Sequence, residues 1–218
     1  MVAKFLSLPL FAGLALGLTG VTAVVAADVA SGPWEIGPVI RGRNHSQGMP
    51  PAPTPVGRGW MFEFPGADTG PGSVHYVTLR TGPLDGARRI VVRYRVDAAP
   101  RARFVAQEQP AAPATVSLMI QRAGDSWSAR RHEFHRWYAP AATLREIAPG
   151  RGEIVVSLDD AGWTSVNGRP AGQFPDEFAD ALRQTERVGL VFGSAGRRGH
   201  GVFATGPARF RLESFRIE

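Results

Sequence analysis

From residue 60 onward the chain is a succession of short runs in which apolar and polar side chains alternate. Ile90, Val92, Tyr94 and Val96 share one side of their run, and Arg93 and Arg95 take the other. Val116, Leu118 and Ile120 oppose Ser117, Met119 and Gln121 in the same way; Ile154, Val156 and Leu158 repeat the pattern, as do Val188, Leu190 and Phe192 against Gly189 and Val191. A period of two puts alternate side chains on opposite faces of a strand, one toward a core and one toward water. Strands are predicted over 60–64, 73–79, 89–96, 115–121, 131–138, 153–158, 187–192, 201–204 and 208–217. Only 175–185 reads as a helix: Pro175 suits a first turn, Asp176 and Glu177 complement its dipole, and Phe178 and Leu182 share a face. Strands this closely spaced leave no room for βαβ units. The predicted fold is all-β, an antiparallel two-sheet β-sandwich of jelly-roll type with one short helix.

Composition agrees with that architecture and removes several chemistries. Of 218 residues, 26 are glycine and 18 proline, too much punctuation for a helical bundle. No cysteine is present, which excludes disulfides, thiolate metal centres and a thiol nucleophile. The proline-rich segment 37–59 is expected to run as an extended loop over a sheet edge, and 97–113 as an excursion within one sandwich. At the amino terminus, Lys4, an uncharged apolar stretch and the small residues before Asp28 read as a secretory signal over 1–27, cleaved after Ala26 or Ala27. The rival is an uncleaved anchor, for which Pro9, Gly13, Gly17 and Gly20 make a poor span. The expected product is a single β-sandwich domain over 28–218, periplasmic or secreted, with no stable membrane span after cleavage.

The net charge of +6 raises the question of a polyanionic partner. Lys4 is the sole lysine, so the basicity beyond the signal is all arginine, as a GC-rich coding genome would also produce. The arginines are dispersed along alternating strands, which fits a nucleic-acid block poorly; an anionic polysaccharide or the envelope surface is the more economical partner.

The densest chemistry lies in 125–138. Read as a strand, it sets Glu133, His135 and Trp137 against His132, Phe134, Arg136 and Tyr138, with Trp127 just upstream. Aromatic rings that stack on the C–H face of a pyranose, beside polar groups that address its hydroxyls, are what sugar recognition requires. Arg93 and Gln121 on neighbouring strands, and His200 in a glycine- and arginine-rich loop over 194–201, complete the candidate ligand-binding set of Arg93, Gln121, Trp127, Glu133, His135, Trp137, Tyr138 and His200. The competing reading makes Trp137 and Phe134 core, as Trp34 and Trp60 are expected to be. A second polar loop spans 41–48, and Asn44-His45-Ser46 is a glycosylation acceptor in a eukaryotic secretory pathway. His132 and His135 fall on opposite faces of a strand, so they do not make a zinc pair. Glycoside hydrolysis needs two facing carboxylates, and Glu133 is alone in its stretch. A lyase would use Tyr76, His75 or His135 as base, with Arg93 or Gln121 neutralising a uronate.

The runs 153–158, 162–166, 188–193 and 210–217, with a helical insertion between the second and third, resemble the end of a galactose-binding-like jelly roll of the carbohydrate-binding-module type. The resemblance is at the level of fold and covers about a third of the chain. It implies a carbohydrate ligand, and no cofactor unless calcium lies between an early strand and the last one, which points to Glu63 and Glu213. Glu213-Ser214 stands where many such modules carry Asp-Asn. The expectation is an exported, non-catalytic carbohydrate-binding protein. A polysaccharide lyase or glycoside hydrolase of β-sandwich fold, and an envelope structural or protein-interaction domain, are the alternatives.

Overall fold

The computed structural model describes residues 27–67 and 72–218. Most of the predicted signal therefore lies outside the described residues. The early strands are short: β1 (Ala27–Asp28), β2 (Glu35–Gly37), β3 (Val39–Ile40), β4 (Arg43–Asn44) and β5 (Thr54–Val56). Then come β6 (Gly59–Glu63), β7 (Tyr76–Arg80), β8 (Arg89–Ala98), β9 (Phe104–Ala106), β10 (Thr115–Arg122), β11 (Arg136–Tyr138) and β12 (Arg145–Glu146). The chain closes with β13 (Gly150–Ser157), β14 (Thr164–Ser165), the helix α1 (Pro175–Arg183), β15 (Thr185–Gly193), β16 (Val202–Ala204) and β17 (Ala208–Ile217).

The fold is an all-β sandwich of antiparallel sheets. The first sheet runs β13-β8-β17-β6-β5 with β1 on β17, and the second runs β14-β11-β10-β15-β7-β2 with β12 on β10. Two further ribbons, β3-β4 and β9-β16, lie outside them. The period-two alternation decides which side chains meet between the sheets. Ile90, Val92, Tyr94, Val96, Phe210 and Phe215 come from the first, and Val116, Leu118, Ile120, Val188, Leu190 and Phe192 from the second, into one continuous core. Phe62 stacks on Phe210 at 5.5 Å and receives Phe192 edge-on at 5.6 Å. Each such ring contributes about 1.5–3 kcal/mol by leaving water. Close approach is built in at Gly152, where a Cβ would sit 2.3 Å from the Tyr94 ring. The helix closes one end of the core by laying Phe178 against Trp137, at 4.9 Å, and Trp163, at 5.6 Å.

Three expectations change. The run predicted as a strand over 131–138 is paired only at Arg136–Tyr138; residues 123–135 form an excursion. Within it Arg131 and His132 donate to Ser128 O and His135 to His132 O, while outside bonds come at its ends, where Arg122 donates to His135 O and Ala123 to Gln184 O. The strand predicted from 73 starts at Tyr76, because Val74 pairs instead with Val202. The 37–59 segment is not loop throughout but contains the β3-β4 ribbon and β5, which joins the edge of the first sheet beside β6. The 97–113 excursion contributes β9, paired with β16.

Candidate functional site

The sandwich leaves each sheet an outer face, and the two are built differently. On the first sheet the outward positions carry arginine: Arg93 pairs with Glu153 directly across the strands at 2.7 Å, Arg95 with Asp97 at 2.6 Å and Arg209 with Glu63 at 2.5 Å. These side chains are largely exposed, and the face is flat and solvated. On the second sheet the outward positions are Ser117, Met119 and Gln121 on β10, Arg136 and Tyr138 on β11, Tyr76 and Thr78 on β7, and Gly189 and Val191 on β15. Most of them are buried beneath loops.

A small apolar cluster of Tyr76, Met119, Tyr138 and Val191 forms the floor of this second face. Gly189 lies between Met119 and Thr78 in the register, where a Cβ would be 2.3 Å from Val77 O, so the close approach of β7 requires glycine. The two tyrosines meet hydroxyl to hydroxyl at 2.8 Å. Burial holds the Tyr76 hydroxyl protonated, well above the usual tyrosine range, and the Tyr138 ring adds to the shift. Gly199 (φ +76°) packs so closely over this pair that a Cβ there would be 2.0 Å from the Tyr76 hydroxyl.

The 123–135 excursion places Trp127 over the floor. Asp125 anchors it: its carboxylate pairs with Arg136 at 2.8 Å, accepts from Gln121 Nε2 at 2.9 Å and accepts the Trp127 backbone N–H at 3.0 Å. The ion pair is sealed from water, the two side chains being 7% and 0% exposed. Trp127 itself has φ +63°, a left-handed conformation that costs a non-glycine residue about 1–3 kcal/mol and persists only where its surroundings hold it. Its ring takes Tyr76 edge-on at 4.9 Å and the Arg136 guanidinium at 4.9 Å.

Around Trp127 two cavities join. One, of about 490 Å³, is lined by Glu35, Val39, Tyr76, Thr78, Trp127 and Arg187 among others. The other, of about 1060 Å³, runs between the 39–45 ribbon and the 125–131 loop. Val39 and Trp127 line both, so the two adjoin at these side chains and together make up the groove. Val39 is 57% exposed, one of the few large apolar side chains left in water. Glu35 and Arg187 pair at 2.7 Å at one end. At the other, Arg41, Arg43, Arg130, Arg131 and His45 line the groove, and among the described residues none of these four arginines is ion-paired. The groove is thus apolar in the middle and cationic at its wide end.

Of the residues predicted for the site, Gln121, Trp127, Tyr138 and His200 belong to this face. Gln121 is buried beneath the surface and serves Asp125, so its role is to hold the loop. His200 stands at the rim, where Glu108 Oε1 lies 2.7 Å from its Nδ1. Trp137 is not a ligand platform: it pairs opposite Ile120, points into the core, is 0% exposed and donates its Nε1–H to Phe134 O at 2.8 Å. Arg93 is on the outer face of the other sheet, ion-paired across to Glu153, and cannot share a groove with Gln121. Glu133 pairs with Arg169 at 3.3 Å, and the His135 ring lies 4.4 Å from His132; neither lines the groove. Burial and the His132 ring lower the His135 pKa. Trp34 and Trp60 are core, as expected. Glu63 and Glu213 lie on adjacent strands but do not converge: Glu63 is opposite Arg209, whereas Glu213 lies past the Leu212–Trp60 pair and bonds to Arg151. Among the described residues no group of three or more His, Asp or Glu is arranged to hold a metal ion.

Asp125 and Arg136 lie in the singled-out 125–138 stretch but outside the candidate ligand set, and Val39, Glu35 and Arg187 carry no signal in the sequence. Arg187 and Glu35 face the groove from the same sheet as Tyr76, two rows apart in register. No helix among the described residues is long and apolar enough to cross a membrane. No protein-family model matches the chain and no curated protein matches it, so the meaning of this face rests on its geometry.

Proposed function

We propose that the protein binds a polysaccharide or envelope glycan, without transforming it, in the groove on the outer face of the second sheet. The observation that carries this reading is the pair of adjoining cavities that share Val39 and Trp127, flanked by the Glu35–Arg187 pair and by four arginines without acidic partners. An elongated site with an aromatic ring at its middle and polar groups along its sides suits a sugar chain, whose C–H faces stack and whose hydroxyls take hydrogen bonds. The cationic end favours an acidic chain. The resemblance to galactose-binding-like modules points to the same class of ligand, and the amino-terminal segment to an exported protein that meets it in the periplasm or outside the cell.

The groove supports binding better than catalysis. Its two acids are both engaged, Glu35 with Arg187 and Asp125 with Arg136, so the facing carboxylates of a glycosidase are not on offer. As lyase bases, Tyr76 is held protonated by burial, and His75 lies off the groove with Nδ1 3.3 Å from Ser73 O.

Retention on insoluble polysaccharides, together with a glycan array, tests the reading. Wild-type protein is expected to be retained on at least one acidic glycan and Trp127→Ala to elute freely while still unfolding cooperatively above the assay temperature. Retention of both proteins alike, or of neither, overturns it.

A further inference from the structure

A third cavity, of about 480 Å³, lies on the same face but is walled by residues 164–168 and 195–200. Tyr76 lines the groove and Tyr138 lines this cavity, so the hydroxyl pair is the bar between them. No aspartate or glutamate lines it. Its polar wall includes Tyr138, Asn167, Arg197, Arg198 and His200. Arg198 is half-buried and donates one N–H to Ala139 O at 2.5 Å. A guanidinium has five N–H donors, and among the described residues no acid lies within ion-pairing distance of this one. Its remaining N–H groups are free to meet an acceptor that enters the cavity. Burial pulls its pKa down, and the Tyr138 hydroxyl partly opposes that shift.

Either hydroxyl can donate in the tyrosine pair, so the Tyr138 hydrogen is available to the cavity that Tyr138 lines. Donors from Arg198 and Tyr138 converge in a cavity without a carboxylate. That is the chemistry of an anion site.

We propose that this cavity receives the carboxylate or the sulfate ester of an acidic sugar in the bound chain, with Arg198 setting the preference for charge and the Tyr138 hydroxyl as the second donor. The proposal rests on the glycan reading above and names the class of sugar. Its test compares four polymers by calorimetric titration: polygalacturonate, its carboxyl-reduced counterpart, a sulfated galactan and the same galactan desulfated. Wild-type protein is expected to prefer the acidic member of one pair by about 10- to 100-fold, the range of one or two charge-assisted hydrogen bonds. Arg198→Gln should bring that ratio close to one while the neutral polymer still binds, with a modestly lower melting temperature from the lost bond to Ala139 O. Tyr138→Phe should lower it several-fold. The pair that shows the preference tells carboxylate from sulfate.

No preference in the wild type, or an unchanged preference in Arg198→Gln, overturns the proposal and leaves the glycan reading standing. If no polymer binds, the glycan reading fails, and sodium glucuronate and sodium sulfate titrated into wild type and Arg198→Gln decide the anion site alone. Amide shifts over 195–200 that vanish in the variant uphold it, and their absence in the wild type overturns it.

Discussion

The outer faces of the two sheets carry similar residue types to opposite ends. On the first, each of Arg93, Arg95 and Arg209 has an acid on its own or the neighbouring strand, and Arg151 has one two strands away, in water, where such pairs contribute little and stay loose. On the second, one pair, Asp125–Arg136, is buried to hold a loop, while Arg41, Arg43, Arg130 and Arg131 rim the groove without acids and Arg198 stands beyond the tyrosine bar. Charge on the first face is balanced internally except at Arg211, which has no acidic partner among the described residues; more of the charge on the second is left for a partner. Counting arginines does not tell these apart. What separates them is whether an acid shares the register.

The largest expected effect is at the buried pair. Asp125→Ala leaves the Arg136 guanidinium buried and uncompensated, and should destabilise the fold by about 3–5 kcal/mol in urea unfolding, releasing Trp127 with it. The matching change on the other face, Glu153→Gln, should leave the unfolding midpoint where it was. Equal effects would erase the distinction between the faces.

Acid sensitivity should also belong to the second sheet. His75, at the start of β7, is pushed from 6.5 to about 4, first by burial and then by the charges of His200 and His45, while its bond to Ser73 opposes the shift. Protonation therefore favours the unfolded chain. The stability that comes from keeping the ring neutral is whole above pH 6.5 and is lost as pH falls toward 4, by roughly 3 kcal/mol. His75→Asn, which cannot titrate there, should show a flatter stability profile between pH 7 and 4. A parallel profile would mean that other groups set the acid limit.

Binding effects come next. Trp127→Ala should weaken retention by about 30-fold or more, as for a central aromatic anchor, and Trp127→Phe should recover part of it. The smallest effect should come from the groove arginines: Arg130→Gln with Arg131→Gln should cost an acidic glycan several-fold and flatten its salt dependence, whereas Arg93→Gln with Arg95→Gln should change neither.

The sandwich was legible because β8, β10, β13, β15 and β17 alternate in sequence; burial follows that alternation on β13 and β17, whereas on β10 and β15 both faces are buried because loops cover the outer one. The site was legible only in outline. In 125–138 both phases carry rings and hydrogen-bonding groups, so alternation has no core side to reveal. Trp127 and Trp137 look alike in sequence, and their fates are set by pairing: Trp137 stands opposite Ile120, already turned inward, while Trp127 is lifted out by a carboxylate two residues earlier. That carboxylate works through Arg136, a partner eleven positions along that only folding brings near. Arg93 was misassigned for the related reason that a strand's outward face does not say which sheet it belongs to.

The central claim is that the second sheet's outer face, and not the first's, meets the ligand. Hydrogen–deuterium exchange with and without a glycan retained in the binding screen tests it most directly. Protection is predicted over 39–45, 125–131 and 195–200, with 89–97 and 150–157 unchanged. Protection confined to the latter segments, or none at saturating glycan, would contradict it.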